Sequence, residues 1–255
     1  RHPINLHRLS RHTVRLRPLS PLSNSGDQII RVTIMTTTSS GGDPSHAAPV
    51  ALGPQDFSAA NDWPGYFGSV LGKPPRDTLL AALASFEDEG MTSGFAVDLA
   101  AGEGRDTLEL LNRGWRVHAT DAEPAAFEFM IPRVPEDRRD ALTTEVVSFQ
   151  ETTFPPCDLV NASFALPFCE PAHLPDLWER IVAAIRPGGR FAGQFFGDRD
   201  SWASRTDRTH HSLDEVHELL TGFDIEMLRI EERDDPPDVR EPKHWHLFHV
   251  VARKR

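Results

Sequence analysis

Cysteine is scarce in this chain. Cys157 and Cys169 are the only two thiols in 255 residues, too few for a disulfide framework and too far apart for a Cys-x-x-Cys metal knuckle. A reducing compartment follows, and the cytoplasm is the expected location. Long apolar runs are also missing. No stretch approaches the roughly 18 uninterrupted apolar residues of a membrane span, so no membrane partner is expected. Internal repeats are absent. Basic residues are few outside the N-terminal end. The formal net charge is −11, and residues 1–36 carry six arginines and one acid, leaving 21 bases against 37 acids in the remainder. An acidic body repels a phosphate backbone, which makes nucleic acid a poor partner.

The chain does carry a core. Its apolar fraction is 39%, with five tryptophans and fifteen phenylalanines, so global disorder is excluded. The opening 55 residues stand apart. They begin RHPINLHRLSRHTVRLRPL, rich in arginine and serine and poor in acid, the composition of an organellar transit peptide. Met35 then opens an ordinary polar segment, MTTTSSGGDPSHAAP. The preferred expectation for residues 1–55 is a tail outside the fold, with a mis-called start upstream of Met35. Residues 56–92 are expected to form a helical cap, and residues 93–255 a ligand-binding domain.

From residue 95 onward strands and helices alternate. FAVDLA, WRVHAT, TTEVVSF, CDLVNAS and RFAGQFF read as strands, and RDTLELLNRG and LPDLWERIVAAI as helices between them. SLDEVHELL reads as a helix capped by Ser212 with Glu215 three residues on. The last two strands, DIEMLRIEE and HWHLFHVVARK, are joined by RDDPPDVREPK, in which no helix fits. They should form a hairpin. The predicted architecture is α/β: a doubly wound, mostly parallel seven-stranded sheet with an antiparallel last strand.

The most informative stretch is FAVDLAAGEGRDT, residues 95–107. A Gly-rich turn between a strand and a helix usually carries a pyrophosphate, with the spacing G-x-G-x-x-G. Here Thr107 stands where the third glycine belongs, and the acid Asp98 occupies the strand tip. Both features oppose a dinucleotide. S-adenosylmethionine (SAM) has no phosphate and carries an ammonium and a sulfonium, which a carboxylate suits. Gly102 and Gly104 let the backbone approach such a ligand. WRVHATD then ends the second strand in Asp121, placed to accept the ribose hydroxyls of any adenosine ligand.

VDLAAGEGRDT followed by VHATD, with CDLVNASFALPFCE and IRPGG further on, resembles the class I SAM-dependent methyltransferases, and among them the small-molecule branch that includes the tellurite-resistance type. The resemblance covers roughly residues 75–253. It implies a Rossmann-like fold and methyl transfer from SAM to a small molecule. It also implies that Asp98, Ala100, Gly102 and Arg105 line the methionine end, with Gly104 in the same cofactor-binding loop. Asp121 with Ala122 would hold the ribose, Gln150 or Glu151 the adenine amine, and Asn161 the floor near the sulfonium. The family has glycine where this chain has Ala100. Arg76, before the sheet, is a candidate partner for the methionine carboxylate.

The acceptor is less legible. In an open parallel sheet the ligand sits at the carboxyl ends of the strands. An antiparallel last strand begins there, which nominates His244 and His246 as proton-transfer groups. Asp198, in the polar loop 197–211, is a further catalytic candidate. No His-x-x-x-His helix is present, so no metal is expected. The residues Asn161-Ala-Ser-Phe lack the Asn-Pro-Pro-aromatic signature of amino methylation on DNA bases. Two other readings share these motifs: a non-catalytic module that binds SAM or its product S-adenosylhomocysteine (SAH), and an NAD(P)-dependent oxidoreductase. Calorimetry separates the second. The protein is expected to bind SAM and SAH and not NADH, and binding of NADH alone would contradict the reading of Asp98 and Thr107.

Overall fold

The structure is a computed structural model that describes residues 54–236 and 239–255. The expected tail therefore lies, through residue 53, outside the described residues. Three helices open the described chain: α1 (Pro54–Ala60), α2 (Trp63–Val70) and α3 (Asp77–Asp88). Alternation then begins with β1 (Phe95–Leu99), α4 (Arg105–Asn112), β2 (Arg116–Asp121), α5 (Ala125–Met130) and β3 (Leu142–Val146). It continues through β4 (Cys157–Ala162), α6 (Leu174–Ala184), β5 (Ile185–Gly197), β6 (His210–His211) and α7 (Leu213–Leu219). The chain closes with β7 (Phe223–Asp234) and β8 (His244–Lys254).

Among the described residues these strands form one sheet in the order β3-β2-β1-β4-β5-β8-β7, with β6 on the end of β5. Strands β1 to β5 pair in parallel, whereas β8 runs antiparallel to both β5 and β7. This is the Rossmann-like methyltransferase arrangement with its reversed strand beside β5. The hairpin of β7 and β8 forms as the prolines of the link require, with Asp234 opposite His244. Eight strands replace the seven expected. The extra one, β6, is two residues paired with Phe196 and Gly197, too short to show any periodicity. Strand β5 also starts five residues early. Ile185 pairs with Cys157 across an irregularity in β4, so the RPGG turn is absorbed into the strand.

The sheet is covered on both faces, which is why its central strands are apolar runs without alternation. One face carries Val97, Val160, Phe191 and Phe195 against Leu177, Trp178 and Ile181 of α6. The other carries Ala96, Val117 and Val251 against Leu79, Leu83 and Phe86 of α3 and Leu110 and Leu111 of α4. Helix α3 is also held electrostatically. The buried Arg190 guanidinium bonds Glu226 at 2.7 and 2.8 Å and Glu89, at the end of α3, at 2.7 and 3.1 Å, and stacks 4.3 Å from the Phe86 ring centroid. Helix α7 keeps its expected capping box: Ser212 Oγ accepts from Glu215 N, and the Glu215 carboxylate accepts from Ser212 N.

Gly104 caps α4 at φ +86°, a conformation disfavoured for residues with a Cβ. A Cβ there would stand 2.9 Å from Met130 Cβ and nearer still to its Cγ. Left-handed strain and overpacking combine, so Gly104→Ala is expected to cost about 2–4 kcal/mol of unfolding free energy. Denaturant melts check this; a loss below about 1 kcal/mol would show that Met130 repacks freely.

Candidate active site

The carboxyl ends of β1, β2, β4 and β5 converge with the start of β8. Above them α2 and the segment 71–77 close a cavity of about 990 Å³, at the upper end of the range for ligand sites. At its core lies a buried acidic knot. Asp98, at the tip of β1, is 2% exposed. It accepts from Thr107 Oγ1 at 2.5 Å and from Asn161 Nδ2 at 2.8 Å. Asn161 Nδ2 also donates to Asp106 at 3.0 Å, and Asp106 accepts the backbone N–H of Arg76 at 2.9 Å. Thr107, which replaces a fingerprint glycine, thus has a positive role: it satisfies Asp98.

Burial, reinforced by the negative charge of Asp106, pushes the Asp98 carboxyl up to about 7, against the lowering pull of Thr107 and Asn161. Asp121 organises the neighbouring loop. Its Oδ2 accepts Gly102 N at 2.9 Å and its Oδ1 accepts Glu123 N at 2.9 Å. Burial raises its carboxyl too, opposed by these backbone bonds. Gly102 sits at φ +56°, under the ring of Phe67. Ala100 adopts φ +54°, a left-handed conformation that glycine takes freely and that costs an alanine about 1 kcal/mol.

The expected cofactor residues divide. Asp98, Ala100, Gly102, Arg105, Asp121, Ala122, Gln150 and Arg76 all line the cavity. Arg105 is engaged by Glu103 at 2.6 Å, and Arg76 lies 4.5 Å above the Phe164 ring. Three others stand back from the wall. Asn161 is fully buried beneath Asp98 and acts on it by hydrogen bonding. Gly104 serves the turn against Met130. Glu151 points to Ser148 Oγ at 3.0 Å, which leaves Gln150 at the wall.

The expected catalytic residues are misplaced as a set. His246 is 1% exposed and packs on Phe248, with its Nδ1 accepting from Arg199 N at 3.2 Å. His244 pairs with Asp234 at 2.7 Å and Glu232 at 3.3 Å, contacts that raise its pKa. Asp198 lies on the outer side of His246, 3.4 Å from Nδ1. None of the three lines the cavity. The reason is strand phase: in β8 the alternate set Trp245, Leu247 and His249 faces the cavity. Alternation was readable in the sequence, but both faces of β8 are buried, so hydropathy could not say which one points inward. The residues missed for this reason include His249, its partner Glu231 on β7, and the wall residues Arg229, Arg233, Trp245 and Gln194. Trp202 is the member of the 197–211 loop that reaches the cavity. Behind it the buried Lys243 ammonium contacts Asp200 and lies 3.9 Å from the Trp245 ring.

Other chemistries find little support. Burial pushes the Cys157 thiol up to about 12 and the Cys169 thiol to about 11, so neither is a nucleophile near neutrality. Among the described residues no three His, Cys, Asp or Glu side chains converge to hold a metal ion, and no helix is long and apolar enough to cross a membrane.

The sheet order, the reversed strand and the acidic Gly-rich loop define a class I methyltransferase fold. Residues 96–189 match the family model described as a methyltransferase domain. Solved structures agree. TehB from Haemophilus influenzae superposes with a TM-score of 0.61 at 13% identity, covering 76% of this chain and 67% of its own. The 1,6-didemethyltoxoflavin-N1-methyltransferase of Burkholderia thailandensis, solved with 1,6-didemethyltoxoflavin and SAH, gives 0.50 at 23% identity over 81% and 92%. The N-methyltransferase NodS from Bradyrhizobium japonicum gives 0.51 at 14% identity over 69% and 92%. At these identities the likeness is one of fold. No curated protein sequence matches the chain.

The Asp98 environment generates a proton-linkage prediction. The native protein holds this proton between about 4 and about 7, where the unfolded chain has lost it, so this group's contribution to stability falls as pH rises through that window. A sulfonium or ammonium placed nearby favours the ionised form. SAM binding should therefore release a proton, and SAM affinity should rise between about pH 6 and 8. Calorimetry near pH 6.5 in buffers of different ionisation enthalpy reads the release; identical heats in all buffers would contradict it.

Proposed function

We propose that this enzyme transfers the methyl group of SAM to a small-molecule acceptor in the cytoplasm. The observation that carries the reading is the continuity of the cavity. The Asp98 and Asp121 loops and an aromatic wall of Phe168, Phe196, Trp202 and Trp245 line one and the same cavity. Its volume of about 990 Å³ stands at the upper end of the range for ligand sites, which supports room for the donor and a second organic molecule.

In this reading Asp98, Ala100, Gly102 and Arg76 surround the methionine end, Asp121 and Ala122 the ribose, and Gln150 the adenine. Helices α1 to α3 act as the cap over the domain 93–255, excluding water from the reacting centre. Methyl transfer is an in-line displacement, and holding donor and acceptor in line supplies most of the acceleration. The net charge of −11 supports a small molecule over nucleic acid, and the two free buried cysteines suit a reducing cytoplasm.

A turnover screen tests the proposal. Purified protein and SAM are incubated with phenols, ring N–H heterocycles, amines, thiols, carboxylates and metalloid oxyanions, and SAH is measured. At least one small organic class should give acceptor-dependent SAH. Tight SAM binding with no turnover on any class would favour the non-catalytic SAM-binding module. As the donor-side control, Asp121→Ala should weaken SAM by about 1.5–3 kcal/mol, the scale of hydrogen bonds to a charged acceptor. An unchanged affinity would misplace the ribose.

A further inference from the structure

The far wall of the cavity carries chemistry that donor binding does not use. His249 of β8 is 5% exposed and faces the cavity between Gln194 of β5 and Arg229 of β7, its register partners. Its Nε2 lies 3.0 Å from Glu231 Oε2. Bonds from His249 and Arg233 hold the Glu231 carboxyl down at about 2, so it is ionised at any working pH. An ionised carboxylate fixes the proton on Nε2 and leaves the lone pair on Nδ1. Among the described residues Nδ1 has no hydrogen-bond partner. The Phe164 ring meets the imidazole edge-on at 6.3 Å, which fixes its plane.

The surrounding wall states what it can receive. Trp63, Phe168, Trp202 and Trp245 form a linked set of edge-to-face and tilted rings, with centroids 5.2–6.3 Å apart. Such a surface suits a flat conjugated body. The formal charges of this wall are already satisfied. Arg233 bonds Glu231 at 2.9 Å and Asp235 at 3.0 Å, and Arg229 lies 3.3 Å from Asp77. Asp235 is also bonded by Trp245 Nε1 at 2.7 Å and Gln55 Nε2 at 3.2 Å. A carboxylate or oxyanion acceptor would find these cations engaged, and an ammonium would find these carboxylates engaged.

We infer that the methyl acceptor is a neutral, flat, conjugated molecule bearing a phenolic O–H or ring N–H, and that His249, oriented by Glu231, is the catalytic residue that takes its proton. The inference rests on the methyl-transfer reading above. The proton of the O–H or N–H passes to Nδ1. The electron pair left on the oxygen or nitrogen forms the bond to the methyl carbon of SAM, while the carbon–sulfur bond breaks and its pair returns to sulfur as SAH. The imidazolium then gives its proton to solvent.

The test uses the full chain loaded with SAH and 4-nitrophenol, a phenol whose visible band appears only on ionisation. At pH 6 the wild type should bind it and show the nitrophenolate band. His249→Gln should bind it without the band, and Glu231→Gln should show a weakened one; melting curves confirm that each variant folds. With an acceptor from the screen, His249→Gln should lose about 10²–10⁴-fold in turnover at unchanged SAM affinity, and regain rate at a pH that ionises the acceptor in solution. Failure of nitrophenol to bind, a neutral spectrum on the wild type, or variant turnover within about twofold of wild type would overturn the inference. Turnover confined to aliphatic amines, thiols or oxyanions would overturn it while leaving the methyl-transfer reading intact. SAM binding with no turnover on any acceptor would sink that reading instead.

Discussion

The molecule is organised around a carboxylate that the fold buries and cannot fully neutralise. Asp98 sits at the tip of the central strand with Asp106 close by, and the cost of that arrangement is spread over three elements. Thr107 from α4 and Asn161 from β4 donate to it, and Asp106 in turn holds the backbone of the segment entering α3. One knot thus fixes the Gly-rich turn, the neighbouring strand and the approach of the cap. A knot made only of acids, an amide and a hydroxyl has negative potential and no built-in cation. It is an unstable arrangement for a pyrophosphate and a favourable one for a ligand that brings its own positive charge.

The remainder of the site follows from strand direction. Parallel strands β1, β2, β4 and β5 deliver their carboxyl ends to the cavity. The reversed β8 delivers its beginning to the same edge, and with β7 it builds the far wall. In the proposed reading the donor lies on the first surface and the acceptor on the second, and the two meet without either crossing the sheet. The aromatic wall is braced from behind by ion pairs: Lys243 with Asp200 under Trp202 and Trp245, and Arg233 with Glu231 and Asp235. These charges are paired with one another, which leaves little net charge on the wall. That property suits a reaction driven by positioning.

That Asp98, Gly102, Arg105 and Asp121 would come together at one cavity was legible because they are local in sequence, within two strands and one turn. The hairpin was legible for a similar reason, since prolines in an eleven-residue link forbid a helix. The far wall was not, because it depends on phase. His244, His246 and Asp198 were credible from residue type, yet β8 is buried on both faces and offers no polar face to mark the outside. Only its register against β5, with Gln194 opposite His249, turns His249 inward and His246 away. Asn161 shows a milder form of the same limit: it was expected at the floor near the sulfonium, and the structure buries it beneath the wall with its amide bonded to Asp98 and Asp106.

The central claim is that one cavity holds the donor against the Asp98 knot and leaves the His249 wall free for the acceptor. A crystal structure of the complex with SAH tests it most directly. The account predicts the ribose hydroxyls on Asp121, the adenine beside Gln150, the amino end near Asp98, and the sulfur directed toward the space in front of His249. SAH bound with its sulfur turned away from that space, or with its ribose remote from Asp121, would contradict the account.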